Sequence, residues 1–267
     1  MFVVGVARSG TTLLRWMLEE HPRIAIPIES HWIVELARRR RRWSPKRQEE
    51  VLAEVLSNPK YRRWWMSEHE VRTAVRDQPS SYSGLVAAVF SVYAARRGKP
   101  RWGDKTPWYV RHLELLDELF PNAVFVHIIR DGRDVAASLA EMGERRSIAG
   151  AANYWRVAVN DARSAGLRIG PGRYCEIRLE DLIARPDATL RRVCTALGET
   201  YTPQMLSYTR RASALEEYDA GSRWWYRHLA RPPTPGLRDW RSGLSASERR
   251  RAEAICAPLL EELGYGH

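Results

Sequence analysis

Gly5-Val6-Ala7-Arg8-Ser9-Gly10-Thr11-Thr12 lies between an apolar run and an amphipathic stretch. Two glycines separated by four residues and followed by paired threonines form the frame of a phosphate-binding loop, provided a strand precedes it and a helix follows. Such a loop aims backbone N–H groups and a helix N-terminus at an anion. Thr11 occupies the place where an ATP-using loop carries Lys, and Arg8 supplies a cation inside the loop instead. The loop is therefore suited to a shorter anionic chain, with a further cation approaching from the other side. A second signal is Ile128-Ile129-Arg130-Asp131-Gly132-Arg133-Asp134-Val135-Ala136-Ala137-Ser138. Arg130 leaves the end of an apolar strand, where ligands of open α/β sheets collect, and Ser138 sits about two helical turns on, able to offer its hydroxyl to the same phosphate.

These groups need a scaffold, and the pattern of the chain supplies one. Residues 2–6 read as a buried strand, and Ser9-Gly10-Thr11-Thr12 opens a helix to about His21-Pro22. A second short apolar stretch covers Arg23 to Ile28, and residues 30–98 are helical in pattern, polar and rich in Arg and Trp. Within them a helix starts at Ser44-Pro45, with proline in its first turn, and stops at Asn58-Pro59. The spacing predicts an amphipathic helix over Pro107–Phe120 and a central parallel strand over Ala123–Ile129, apolar on both faces. Helices follow at Asp131–Glu141 and near 147–167, then a strand at Arg173–Leu179 and helices near 187–197 and 203–210. Residues 216–245 lack periodicity and read as a long loop. The last helix is expected from Ser247 to Leu263, without a capping box because Arg250 stands three residues on. Strand–helix alternation implies an α/β fold with a mostly parallel sheet flanked by helices, carrying a helical insertion at about 32–100 within one domain, 1–267.

Length and composition agree. The 267 residues, 44% hydrophobic and 28% charged, fit an ordinary globular domain and exclude a fibrous or disordered chain. No apolar run reaches about 18 residues, so no membrane span is expected, and the start reads as a strand, not a signal peptide. Cys175, Cys194 and Cys256 are odd in number and lack metal-ligand spacing, which points to reduced thiols, no metal and a cytoplasmic setting. Of 43 basic residues only Lys46, Lys60, Lys99 and Lys105 are lysines. Arginine is the better bidentate ligand for phosphate or sulfate, although a GC-rich genome accounts for most of this bias. The net charge of +11 favours anionic partners without choosing between a nucleotide and a nucleic acid.

Arg8-Ser9-Gly10-Thr11-Thr12-Leu13-Leu14 resembles the 5′-phosphosulfate loop of sulfotransferases that use 3′-phosphoadenosine-5′-phosphosulfate (PAPS), in particular the bacterial and tyrosylprotein-type branch, where Arg precedes Ser-Gly-Thr-Thr. Arg130 and Ser138 resemble the family's 3′-phosphate motif. The resemblance implies a P-loop-like fold and transfer of a sulfuryl group to a hydroxyl or amine of a small-molecule, carbohydrate or peptide acceptor. It further implies a catalytic base at Glu29, in Ile26-Pro27-Ile28-Glu29-Ser30, with His31 as the fallback. Partial burial among apolar neighbours is expected to raise the Glu29 pKa. In Trp102-Gly103-Asp104-Lys105-Thr106-Pro107, Pro107 replaces the His of the cytosolic branch, and Lys105 resembles the lysine that reaches the transferring group. Arg178, in Ile177-Arg178-Leu179-Glu180-Asp181-Leu182, falls in a nucleotide-binding motif in which Leu179 replaces a Tyr. Arg241, with Arg238 as a weaker candidate, resembles the cation of a loop closing over the nucleotide.

The tryptophan pairs Trp64-Trp65 and Trp224-Trp225 fit either stacking on an acceptor or packing, and packing is expected of the first. Two alternatives remain open. A nucleotide kinase or NTPase accounts for the glycine loop but not for Thr11 or for Arg130 at the strand end, where a magnesium-binding Asp belongs. A basic nucleic-acid binder accounts for the charge, but no recognition motif is visible.

Overall fold

The computed structural model describes residues 1–40, 43–78, 80–143, 147–210 and 239–266. Four parallel strands form the central sheet in the order β4-β1-β5-β6: β1 is Phe2–Val4, β4 Asp104–Lys105, β5 Phe125–Ile129 and β6 Tyr174–Arg178. Phe2 pairs with Asp104 and Phe125, and Ile129 with Arg178, so all four strands end on one edge. Alternation along β1 and β5 divides the core in two. Phe2, Val4, Phe125 and Ile129 face a cluster with Trp155, Val135 and Leu139, whereas Val3, Val126 and Ile128 face Leu14, Met17, Leu182 and Leu190. This two-sided burial is why β1 is wholly apolar and β5 apolar at every position but the buried His127.

A separate parallel pair, β2 (Ile24–Ala25) with β3 (Arg101–Trp102), extends the architecture sideways. Residues 101–105 pass from β3 into β4 through Gly103, whose N–H bonds Ala25, so a single extended segment touches both sheets. Among the described residues, five α-helices lie between β2 and β3: α2 (Trp32–Ala37), α3 (Pro45–Ser57), α4 (Pro59–Arg62), α5 (Glu68–Arg76) and α6 (Tyr82–Ala95). Ser44 caps α3 by accepting from Arg47 N–H, and Asn58, which ends α3, caps α4 in the same way through Lys60 N–H. Trp64 packs between Trp32, Tyr61, Phe90 and Tyr93. Its neighbour departs from the packing expectation: Trp65 is 81% exposed, in the left-handed region at φ 55°.

Three element expectations are corrected. The Pro107–Phe120 helix is two pieces, a 3-10 turn Pro107–Arg111 and helix α7 (Leu113–Leu119), because His112 leaves helical geometry at φ −132°. The strand expected to reach Leu179 stops at Arg178, and Leu179–Ala184 is already helical. The final helix, Ala246–Glu262, starts at Ser245 and does have a capping box: Glu248 N–H donates to Ser245 Oγ while the Glu248 carboxylate accepts from Ser245 N–H. Arg238, the pair Trp224-Trp225 and most of the expected loop lie outside the described residues.

Candidate active site

The glycine loop leaves β1 and enters helix α1 (Thr11–Glu19). Gly10, just before the helix, has φ 91°, and a Cβ there would stand 2.5 Å from the Leu179 side chain. A Cβ on Gly5 would meet the Ile128 carbonyl oxygen at 2.4 Å. The chain thus turns tightly between β5 and the residue that replaces the expected Tyr: backbone excludes a side chain at Gly5, and the left-handed φ and the Leu179 side chain disfavour one at Gly10. Arg8 is also left-handed, at φ 74°. Among the described residues no side chain caps α1, and its first turn has no acidic residue, so the N–H groups of Thr11 and Thr12 start an uncapped helix. Ser9 is buried, and its Oγ has no hydrogen-bond partner among the described residues. An anion is the missing complement of such a cradle.

Cations converge on the same edge. Arg8 Nε donates to Ser138 Oγ at 3.0 Å, and Arg130 Nη1 donates to the Arg8 carbonyl at 3.2 Å. Ser138 is buried on helix α8 (Gly132–Glu141), which Asp131 caps through Arg133 N–H. Asp134, on the same helix, pairs with Arg130 at 3.2 Å and accepts from Trp240 N–H at 2.8 Å. That last bond fixes the turn Trp240–Gly243 beside Arg130. Arg133, although buried, pairs with Asp131 and stacks over Trp240, so its role is to brace that turn.

Lys105 approaches from the other side, as its pairing demands: it ends β4 directly beside Val3 of β1. Its side chain is fully buried, and Nζ donates to Thr12 Oγ1 at 3.2 Å and to Glu29 Oε1 at 2.5 Å. His31 Nε2 lies 3.1 Å from Glu29 Oε2, and Trp108 Nε1 donates to His31 Nδ1 at 2.9 Å. The intervening Ser30 is buried, its N–H on Thr106 Oγ1 and its hydroxyl on the Tyr109 hydroxyl. The segments 29–31 and 105–109 are therefore locked face to face.

The Glu29 carboxyl corrects one expectation. Burial does push its pKa up, but the adjacent Lys105 charge and the hydrogen bonds from His31 and Lys105 outweigh burial and hold it well below the usual carboxylate range. Glu29 is thus an anion in this state. Lys60 on α4, which the sequence did not single out, belongs to the same neighbourhood: burial lowers its pKa while Glu29 and Glu35 oppose the effect.

Arg8, Ser9, Gly10, Thr11, Thr12, Glu29, Lys105, Arg130 and Ser138 are brought together, whereas Arg178 and Arg241 are not in direct contact with them. Arg178 donates to the Gly264 carbonyl and stacks over Tyr265, 3.9 Å from the ring centroid, and Arg241 is exposed above Trp240. Sequence reasoning missed Trp108 and Thr106, although both lie within three residues of Lys105.

Comparison with known proteins gives a consistent result. A family model described as "Sulfotransferase family" matches residues 1–203. Protein-tyrosine sulfotransferase 2 of Gallus gallus is 28% identical over 78% of this chain and 53% of its own length. Nodulation protein NoeE of Sinorhizobium fredii is 27% identical over 99% of this chain and 65% of its own. The chain spans between half and two thirds of the length of these two relatives. Among solved structures, the sulfotransferase domain from the Synechococcus PCC 7002 olefin synthase superposes with a TM-score of 0.69 over 97% of this chain and 93% of that one, at 23% identity. The sulfotransferase STF9 from Mycobacterium avium gives 0.56 over 98% and 76%, at 17% identity.

Proposed function

The chain belongs to the sulfotransferase family, and from that premise we propose that it transfers a sulfuryl group from PAPS to a hydroxyl or amine of a small-molecule, carbohydrate or peptide acceptor. The observation that carries this reading is the convergence, on one sheet edge, of an uncapped loop–helix cradle with Arg8, Arg130 and Lys105, next to a carboxylate.

In this reading the loop N–H groups, Ser9, Thr11, Thr12 and Arg8 hold the 5′-phosphosulfate, and Arg130 with Ser138 holds the 3′-phosphate. Arg241 closes over the nucleotide. Arg178 contributes indirectly, by tethering the Gly264–Tyr265 tail. Glu29 takes the acceptor proton as the acceptor oxygen or nitrogen bonds to sulfur. The sulfur–oxygen bond to the donor breaks, and its electron pair leaves on the 5′-phosphate, where Lys105 and Arg8 stabilise the charge. The nucleotide contacts, remote from the reacting atoms, supply positioning. The insertion around 32–100, which carries Lys60 within electrostatic reach of Glu29, shapes the acceptor side.

No metal enters this scheme, because protein cations do the charge stabilisation. A cytoplasmic setting is part of the proposal and is supported by three unpaired cysteines. An Arg-rich bacterial protein is the expected source. Among the described residues no helix is long and apolar enough to cross a membrane.

Calorimetric titration with 3′-phosphoadenosine-5′-phosphate (PAP), with 5′-AMP as comparison, tests the reading. Expected are micromolar binding of PAP, much weaker binding of 5′-AMP, and collapse of that preference in Arg130→Ala. A charge-assisted hydrogen bond is worth about 1.5–3 kcal/mol, or roughly 10- to 150-fold in affinity. Equal binding of the two nucleotides refutes the reading, and magnesium-dependent ATP turnover or steeply salt-dependent DNA binding replaces it.

A further inference from the structure

His31 occupies an unusual backbone conformation, φ 58°, for a residue with a bulky ring. Such a conformation is strained and persists only where its surroundings fix it. Here they do. Trp32 N–H bonds the Ser30 carbonyl, Ser30 is tied to Thr106 and Tyr109, and the Tyr109 hydroxyl also accepts from Ile33 N–H. The strained turn points the imidazole between Trp108 and Glu29, with the His31 and Trp108 rings inclined by only 29°.

The indole N–H can only donate. Its bond to His31 Nδ1 therefore assigns a lone pair to that nitrogen and the ring proton to Nε2, which faces Glu29 Oε2. In this tautomer Nε2 has no lone pair with which to take a proton from an acceptor, and Nδ1 is occupied by Trp108. We infer that His31 and Trp108 are positioning residues for Glu29: Trp108 fixes the imidazole tautomer, and the Nε2–H pins Oε2 so that Oε1 alone, the oxygen that Lys105 now holds, takes the acceptor proton. The inference rests on the proposed sulfuryl transfer. It adds an order to the chemistry, because Oε1 becomes available only when Lys105 turns toward the charge of the bound donor. The proton then ends on Oε1, the new bond is acceptor to sulfur, and the departing electron pair goes to the donor's 5′-phosphate.

Two readouts test it. The first is independent of turnover: 15N spectra of histidine-labelled protein. The expected wild-type spectrum shows a His31 Nδ1 of the unprotonated type and a protonated Nε2, and Trp108→Phe loses this bias toward one tautomer. A wild-type His31 protonated on Nδ1, or an unchanged spectrum in Trp108→Phe, overturns the inference.

The second uses PAPS with 4-nitrophenol as probe acceptor. His31→Ala is expected to lower kcat about 10- to 100-fold, the scale of a lost orienting contact, with PAP affinity unchanged and the acceptor KM moved less than threefold. His31→Gln, whose side-chain amide can reach Glu29 as Nε2–H does, is expected to recover most of the loss. A Gln variant no better than Ala, or an Ala variant as active as wild type, overturns the inference. Failure of wild-type protein to bind PAP is a different result: it refutes the sulfotransferase reading, while the spectra still decide the tautomer.

Discussion

Glu29 and Lys105 form an asymmetric pair: Lys105 is wholly buried, whereas the Glu29 side chain keeps 26% of its exposure. Removing one partner of a buried pair costs about 3–5 kcal/mol, because a charge is left without compensation. Glu29→Gln leaves that charge on the inaccessible Lys105, with the amide oxygen and Thr12 Oγ1 as neutral partners, so the lower end, about 3 kcal/mol, applies. Lys105→Met leaves the charge on Glu29, which reaches water and keeps its His31 bond, so the cost there is about 1 kcal/mol. The double variant strands no buried cation and should match Lys105→Met, giving a coupling of about 3 kcal/mol. At roughly 2–4 °C per kcal/mol for a domain of this size, Glu29→Gln melts about 6–12 °C below wild type and the other two about 2–4 °C below.

Thermal and urea unfolding without nucleotide measure all three variants. The pH dependence carries the same sign. Glu29 is depressed below its ordinary value of 4.5 in the folded state, so the stability it confers is complete above that pH and drains as pH falls below it. Lys105→Met should lose this acid-side contribution. Equal costs for the two single variants, or additive costs in the double variant, refute the asymmetry and with it the picture of a pair built around an inaccessible cation.

Two further outcomes test the frame around the site. Gly10→Ala places a Cβ at φ 91° and 2.5 Å from Leu179, and is expected to destabilise by about 1–3 kcal/mol and to weaken PAP binding, whereas Leu179→Ala in the same chain restores part of the stability but not the backbone strain; chemical unfolding and calorimetry read both. Ser245→Ala removes the capping box of the final helix, with an expected loss of about 1 kcal/mol and a melting temperature lower by about 2–4 °C, without change in PAP affinity.

The parts of the site that were legible in the sequence are those whose signal is local. The glycine loop and the strand expected over Ala123–Ile129 each combine apolar patterning with a motif a few residues long; the strand forms over Phe125–Ile129, and Arg130 and Ser138 both reach Arg8. The state of Glu29 was not legible. Its surroundings in sequence, Ile26-Pro27-Ile28, speak only of burial, and burial alone raises a carboxyl pKa; the cation that reverses the result lies 76 residues away. What joins the two is the extended segment 101–105, which pairs with β2 through two residues and with β1 through two more. Strands that short have no period to read. The same holds for Trp108, whose N–H sets the tautomer of a histidine 77 residues distant. A proton's position here is decided by sheet register, and register is carried by the whole parallel sheet rather than by the residues that do the chemistry.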